Sequence, residues 1–239
     1  MTRLEIKTEV LVRLGKNTTS AFYTDSMLED WINQSHKWAA GYRQWPFTEY
    51  MDKSLSFVSG TEEYAYPNVG LRTDSIEMLK IGTEANWTEN QSFGKKLFTD
   101  YMKYRENYSD EDDEIFSDYK RTIYINPNCT GGTIYALGQL LPADMVVGDG
   151  GDSDKSVFST AAEDEGDEAI IESVLSKAWK KEKKFSVSLQ HYTLAKSILD
   201  DMWGRIKNDQ SDYQTKDRKL FEDFDVIKGT TKGENISQF

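Results

Sequence analysis

Apolar positions recur at helical spacing near both ends of the chain and at strand spacing between them. Leu4, Leu11 and Leu14 fall on one face of a segment stopped by Gly15 and Asn17, which predicts a short first helix. Met27, Leu28, Trp31, Ile32, Ser35, Trp38, Ala39 and Tyr42 predict a second. Thr24 or Ser26 can cap it, Glu29 can complete a capping box with Ser26, and Pro46 is the expected stop. From Tyr50 to about Met145 the pattern shortens to alternating runs, predicting strands at Ser54–Val58, Ser75–Ile81, Arg121–Asn126 and Thr133–Leu137. The loop Pro127 to Gly132 has the chemistry of a hairpin between the last two. Phe98, Tyr101, Tyr104 and Tyr108 fit a short helix or a solvated aromatic strand. A third helix is expected over about Glu168–Lys184, carrying Ile171, Val174, Leu175 and Ala178. A fourth follows the corner Phe185–Ser188, with Tyr192, Ala195, Ile198, Leu199, Met202 and Ile206 on its inner face.

The implied fold class is α+β: a helical bundle built from N- and C-terminal helix pairs, an inserted antiparallel β-rich domain and an extended C-terminal tail. The corresponding segments are 1–48 (N-terminal helix pair), 49–145 (β-rich insertion), 146–167 (acidic connection), 168–209 (C-terminal helical hairpin) and 210–239 (extended docking tail). In the tail, Leu220, Phe221, Phe224, Val226 and Ile227 form an apolar cluster followed by Gly229 and Gly233. That is enough greasy surface to anchor on a partner and too little to fold alone.

Charge narrows the partners. With 29 basic and 41 acidic residues the net charge is -12, a field that repels phosphate backbones and anionic membranes. Acids gather at Asp110, Glu111, Asp112, Asp113 and Glu114 and again from Asp149 to Glu168. Lys177, Lys180, Lys181, Lys183 and Lys184 form a basic knot, so opposite patches on one subunit permit head-to-tail contact between copies.

The chemistry of catalysis is sparse. Cys129 is the single cysteine and His36 and His191 the two histidines, which argues against a disulfide framework, a metal centre or any other cofactor. His36 is expected to be a packed or surface histidine without a functional role. The Asp149–Asp154 run lacks the glycine and the terminal glutamate of a calcium loop. The charged start, Met1 to Gly15, has neither a signal peptide's apolar run nor a membrane span, so the expectation is synthesis in a reducing cytoplasm and no membrane partner. An acid/base hydrolase is the enzymatic alternative, because carboxylates are in excess, yet no motif fixes a pair of them. A carbohydrate-binding or adhesive role through the tyrosines and Trp87 is the other alternative.

The order of elements, with Leu11-Val12-Arg13-Leu14-Gly15, Trp31-Ile32-Asn33, Tyr66-Pro67, Tyr124-Ile125-Asn126-Pro127 and Glu165-Gly166-Asp167-Glu168-Ala169-Ile170, resembles the head-to-tail connector (adaptor) proteins of tailed bacteriophages. The likeness lies in layout more than in a diagnostic motif, and the larger middle block and the acidic connection depart from it. The resemblance implies a non-enzymatic virion protein of the neck. It implies a homo-oligomeric ring, commonly of twelve copies, beneath the portal protein, with a C-terminal extension reaching into the portal. The next neck or tail protein would attach below, and genome DNA would pass through without specific binding. On that reading Leu220, Phe221, Phe224, Val226 and Ile227 anchor the tail on the portal. Asp110 to Glu114 then become candidate channel-facing acids that deny phosphates a cationic partner.

Overall fold

A computed structural model describes residues 1–16, 20–84, 86–108, 111–129, 131–146 and 152–208. The fold is α+β. Helices α1 (Arg3–Arg13) and α2 (Asp25–Ala40) precede strands β1 (Glu49–Phe57), β2 (Glu63–Ala65), β3 (Met78–Gly82) and β4 (Gln91–Lys95). Helix α3 (Phe98–Asn107) leads to β5 (Ile115–Tyr119), β6 (Thr122–Ile125) and β7 (Gly132–Gln139). The single turn α4 (Val157–Thr160) and helix α5 (Glu165–Lys181) follow. A sixth helix, α6, runs from 185 to 208, where the described residues end.

Local chemistry sets the helix ends. Helix α1 opens with a capping box in which Thr2 accepts from the Glu5 amide and Glu5 accepts from the Thr2 amide. Thr24 caps α2, accepting from the Met27 amide at 3.3 Å. The expected Ser26–Glu29 box is therefore replaced, and Glu29 pairs with Arg3 and Lys7 of α1 instead. Helix α2 stops at Gly41, ahead of Pro46, which opens a 3-10 turn. The third predicted helix begins earlier than its apolar stripe suggested, at Glu165. Acids fill its first turn and Lys180 and Lys181 its last, matching the helix dipole. Gly166 sits inside that first turn because the Phe158 ring lies on it; a Cβ there would come within 2.2 Å of the ring.

One core joins both ends of the chain. Ile6 and Val10 of α1, Leu28 and Ile32 of α2, Trp45, Phe158, Ile170, Val174 and Leu175 of α5 and Leu199 and Met202 of α6 are all buried in it. Trp45 is fully buried, donates from Nε1 to the Ala39 carbonyl at 3.0 Å, and packs against Phe47, Phe158 and Trp203. Polar contacts tie the helices at the rim: ion pairs of Arg13 with Glu172 at 2.9 Å and Arg43 with Asp200 at 2.6 Å, and a hydrogen bond between His191 Nδ1 and the Glu172 carboxylate at 2.6 Å.

The middle of the chain forms a seven-stranded sheet in the order β1-β7-β3-β4-β5-β6-β2. It is mixed, not purely antiparallel as expected: β4 and β5 run parallel, and α3 lies in the crossover between them. The expected hairpin between the last two strands is also replaced. β7 pairs with β1 and β3, while β6 pairs with β5 and β2. The tight hairpin is β5–β6, turned by Lys120 and Arg121, both at positive φ (50° and 64°). Lysine and arginine are not residues that announce such a turn. Arg121 has a second function there, donating to the carbonyls of Leu71, Asn68 and Val69 and lying over the Tyr66 ring.

The sheet curls, bringing its two edge strands together at one corner. The Val58 amide, just past β1, donates to the Tyr64 hydroxyl of β2 at 2.9 Å, and the Phe57 and Tyr64 rings stack. Phe57, Leu79, Ile81, Phe93, Phe116, Ile123 and Ile134 fill a second core enclosed by this curl. Strand β1 starts earlier than predicted because a bulge between Asp52 and Leu55 breaks the alternation, with the Asp52 carboxylate accepting from Ser54.

Candidate interaction surface

Helix α6 carries two apolar stripes. The inner one passes through Ser188, Ala195, Leu199 and Met202, all buried. The prediction put Tyr192 on this inner face, but its place toward α5 is taken by Ser188 and Ala195, small residues that let the helices approach; the Ser188 and Ser176 hydroxyls meet at 3.1 Å. The outer stripe is Phe185, Leu189 and Tyr192, spaced four and three apart and exposed by 63%, 64% and 39%. Phe185 was expected in the corner before the helix; it is the first helical residue.

The outer stripe borders a groove of about 530 Å³ between α2, α5 and α6. Trp38 forms part of its apolar lining, with its ring centroid 5.6 Å from that of Tyr192, and Ser173, Ser176 and Ser188 supply small polar patches. Two lysines of the basic knot, Lys177 and Lys180, line it. Lys177 donates to the Trp31 carbonyl and to Gln34 Oε1, each at 3.3 Å. Both partners are neutral, and burial pushes the Lys177 ammonium down to about 8. The other lysines of the knot are engaged differently. Lys181 donates to the Phe22 carbonyl, and Lys184 pairs with Glu182 at 2.9 Å and lies over the Trp179 ring.

The acidic run is exposed from Glu111 to Glu114, whereas Asp110 lies outside the described residues. Its backbone is pinned to the sheet: Asn126 donates to the Glu111 and Asp113 carbonyls, and Gly94 to the Glu114 carbonyl at 2.7 Å. Asp113 accepts from the Tyr104 hydroxyl at 2.7 Å; burial, with that bond and the carboxylate charge, pushes this phenol up to about 12. Asp112 and Glu114 share a second cleft with Glu84, Glu89 and Cys129. Burial first, and then the neighbouring carboxylates, raise the Cys129 thiol to about 11, so it is protonated and unreactive at neutral pH. The acids around the start of α5 are largely occupied within the subunit: Glu163 and Glu165 by Arg205, Glu168 by Arg13, and Asp167, inside the core, by Ser156.

His36 is buried, with Nε2 accepting from the Val157 amide at 2.9 Å, and burial depresses it to about 4. Leu220, Phe221, Phe224, Val226 and Ile227 lie outside the described residues. The groove itself escaped sequence reasoning because its lining comes from three helices; the available signal was the Phe185, Leu189, Tyr192 spacing read as a second stripe. Among the described residues no group of three or more His, Cys, Asp or Glu side chains could hold a metal ion, and no helix is long and apolar enough to cross a membrane.

Two comparisons with known proteins complete these observations. No curated protein matches the chain. The profile of a family described as SU10 adaptor protein matches residues 1–219, the whole of the described structure included.

Proposed function

The chain belongs to the SU10 adaptor protein family, a family of phage head–tail adaptors, and from that premise we propose that it forms the connector ring that docks on the portal, extends the DNA channel and offers the attachment surface for the next neck or tail component. A structural adaptor role follows from the family. The finer reading is supported by the apolar stripe on α6, which the described residues leave exposed beside the helical core. Covering such a stripe with a neighbouring protein releases water from apolar surface and needs no catalytic group. No reaction centre is part of this reading.

Each copy anchors through Leu220, Phe221, Phe224, Val226 and Ile227 on the portal, the helical region packs copy to copy, and the β region projects toward the next component. Glu111 to Glu114, held exposed by Asn126, face the channel and keep passing DNA from adhering. Twelve copies is the number the resemblance implies. A carbohydrate-binding reading is less well supported, since Trp87, the tryptophan of the β region, already has the Lys80 ammonium over its ring at 5.3 Å.

The test is native mass spectrometry of the full chain with and without its cognate portal ring. The expected result is a portal complex carrying a fixed number of copies, lost when residues 210–239 are removed. A chain that stays monomeric with portal present overturns the reading.

A further inference from the structure

The groove between α2, α5 and α6 has a chemical imbalance that points to its occupant. Its lining is apolar where Trp38, Phe185, Leu189 and Tyr192 meet, yet it includes Lys177, whose described partners are all neutral. Among the described residues no carboxylate pairs with that ammonium. A half-buried cation without a counter-charge is costly, and an arriving anion relieves the cost. The groove therefore suits a segment that is both greasy and acidic.

The chain contains one beyond α6. Leu220, Phe221, Phe224 and Ile227 fall at positions i, i+1, i+4 and i+7, interleaved with Glu222, Asp223 and Asp225. The segment begins directly after the last residue matched by the family, so it is an appendage to the shared sequence. It can also reach. From position 208 back to Leu189 along α6 is about 30 Å at 1.5 Å per residue. The twelve steps from 208 to 220 span up to about 40 Å when extended. Tethering at this range holds the segment at an effective concentration on the order of millimolar, so even weak intrinsic affinity fills the site.

We propose that, before portal is met, residues 220–227 occupy the α2–α5–α6 groove of their own chain, with Phe221 and Phe224 against Trp38, Leu189 and Tyr192 and the three acids beside Lys177 and Lys180. The inference rests on the reading that this segment is the portal anchor. Portal then competes the anchor out of the groove, and the vacated stripe on α6 becomes available to the neighbouring copy only where a ring is being built.

The test uses the full chain with Cys129→Ser and the pair Leu189→Cys and Lys228→Cys, which leaves every anchor residue in place, oxidised in the absence of portal. The expected result is closure at the monomer mass, at least tenfold faster than with the control pair Leu189→Cys and Ser237→Cys, and slowed at least fivefold by Lys177→Glu. Closure no faster than the control overturns the inference, and a product at the dimer mass overturns it in favour of a second copy as occupant. A second measurement keeps the native cysteine: amide exchange over 185–192 should quicken about fivefold when Phe221→Ser and Phe224→Ser are introduced, and unchanged exchange overturns the inference. Portal binding separates the two readings. The oxidised chain should fail to bind portal and recover on reduction. If the locked chain binds portal normally, the anchor reading fails and the groove assignment stands; if no lock forms but deleting 220–227 abolishes portal binding, the reverse holds.

Discussion

The helical region is filled by large side chains delivered from distant parts of the chain, and its polar groups are mostly on the rim. The sheet region is filled by mid-sized aliphatic and aromatic residues contributed by one continuous stretch, and it needs polar pins inside. In the first, Trp45, Phe158 and Trp203 meet edge to face, and Arg13, Arg43 and Arg205 pair at the periphery. In the second, Tyr66 donates to the buried Asp118, whose other oxygen accepts from the Ile76 amide at 2.8 Å; Lys95 closes the group by donating to the Ile76 carbonyl at 2.6 Å. The lesson is that helices satisfy their own backbone and leave the core to packing, whereas a curled sheet with long crossovers must satisfy loop amides by side chains.

Four experiments break or sharpen that contrast. The largest effect is expected for Trp45→Ala, which empties the junction of four aromatic rings and should cost about 3–5 kcal/mol in urea unfolding. A loss under about 1 kcal/mol would mean that packing does not dominate the helical core. Next is His36, a polar group buried among the helices. Its folded pKa, about 4, lies below the ordinary value of 6.5, so the folded state binds fewer protons than the unfolded one between these values. Stability is therefore full above pH 6.5 and declines as pH falls toward 4. Wild type should lose about 2 kcal/mol more than His36→Gln between pH 7 and pH 5, and parallel pH curves would refute the assignment.

In the sheet, Tyr66→Phe should cost about 1.5 kcal/mol by stranding Asp118 and the Asp74 amide, which donates to the same hydroxyl at 3.0 Å. Burial raises the Asp118 carboxyl, so protonating it relieves a charge that the variant can no longer solvate; the deficit should shrink on acidification, and urea midpoints at two pH values measure this. The smallest effect is expected for Arg121→Ala, about 1 kcal/mol, with faster amide exchange confined to residues 68–71 if its bonds to those carbonyls hold the loop.

Legibility in the sequence followed the same divide. The helical stripes stand out because an apolar face at 3.6-residue spacing is a local signal, and α1, α2 and α5 lie within a few residues of their predicted positions. The sheet partners do not, since β5 reads Ile-Phe-Ser-Asp-Tyr and buries Ser117 and Asp118 where polarity suggests a loop. The turn at Lys120 and Arg121 is hidden by residue type, and the long reach from β1 to β7 leaves no trace in either strand. The resemblance to phage connectors was legible through element order and agrees with the family match. The groove was not, because the environment of Lys177 depends on Trp31 and Gln34, more than 140 positions away in sequence.

The shared helical core has a consequence for biosynthesis. Residues 49–140 hold every strand of the sheet, so that unit can close while the rest of the polypeptide is still on the ribosome. Helices α1 and α2, made first, have to wait for α5 and α6, made last, before Ile6, Val10 and Leu28 are sheltered. A nascent chain halted after the sheet is thus a curled sheet trailing two sticky helices, the form that chaperones would be expected to hold.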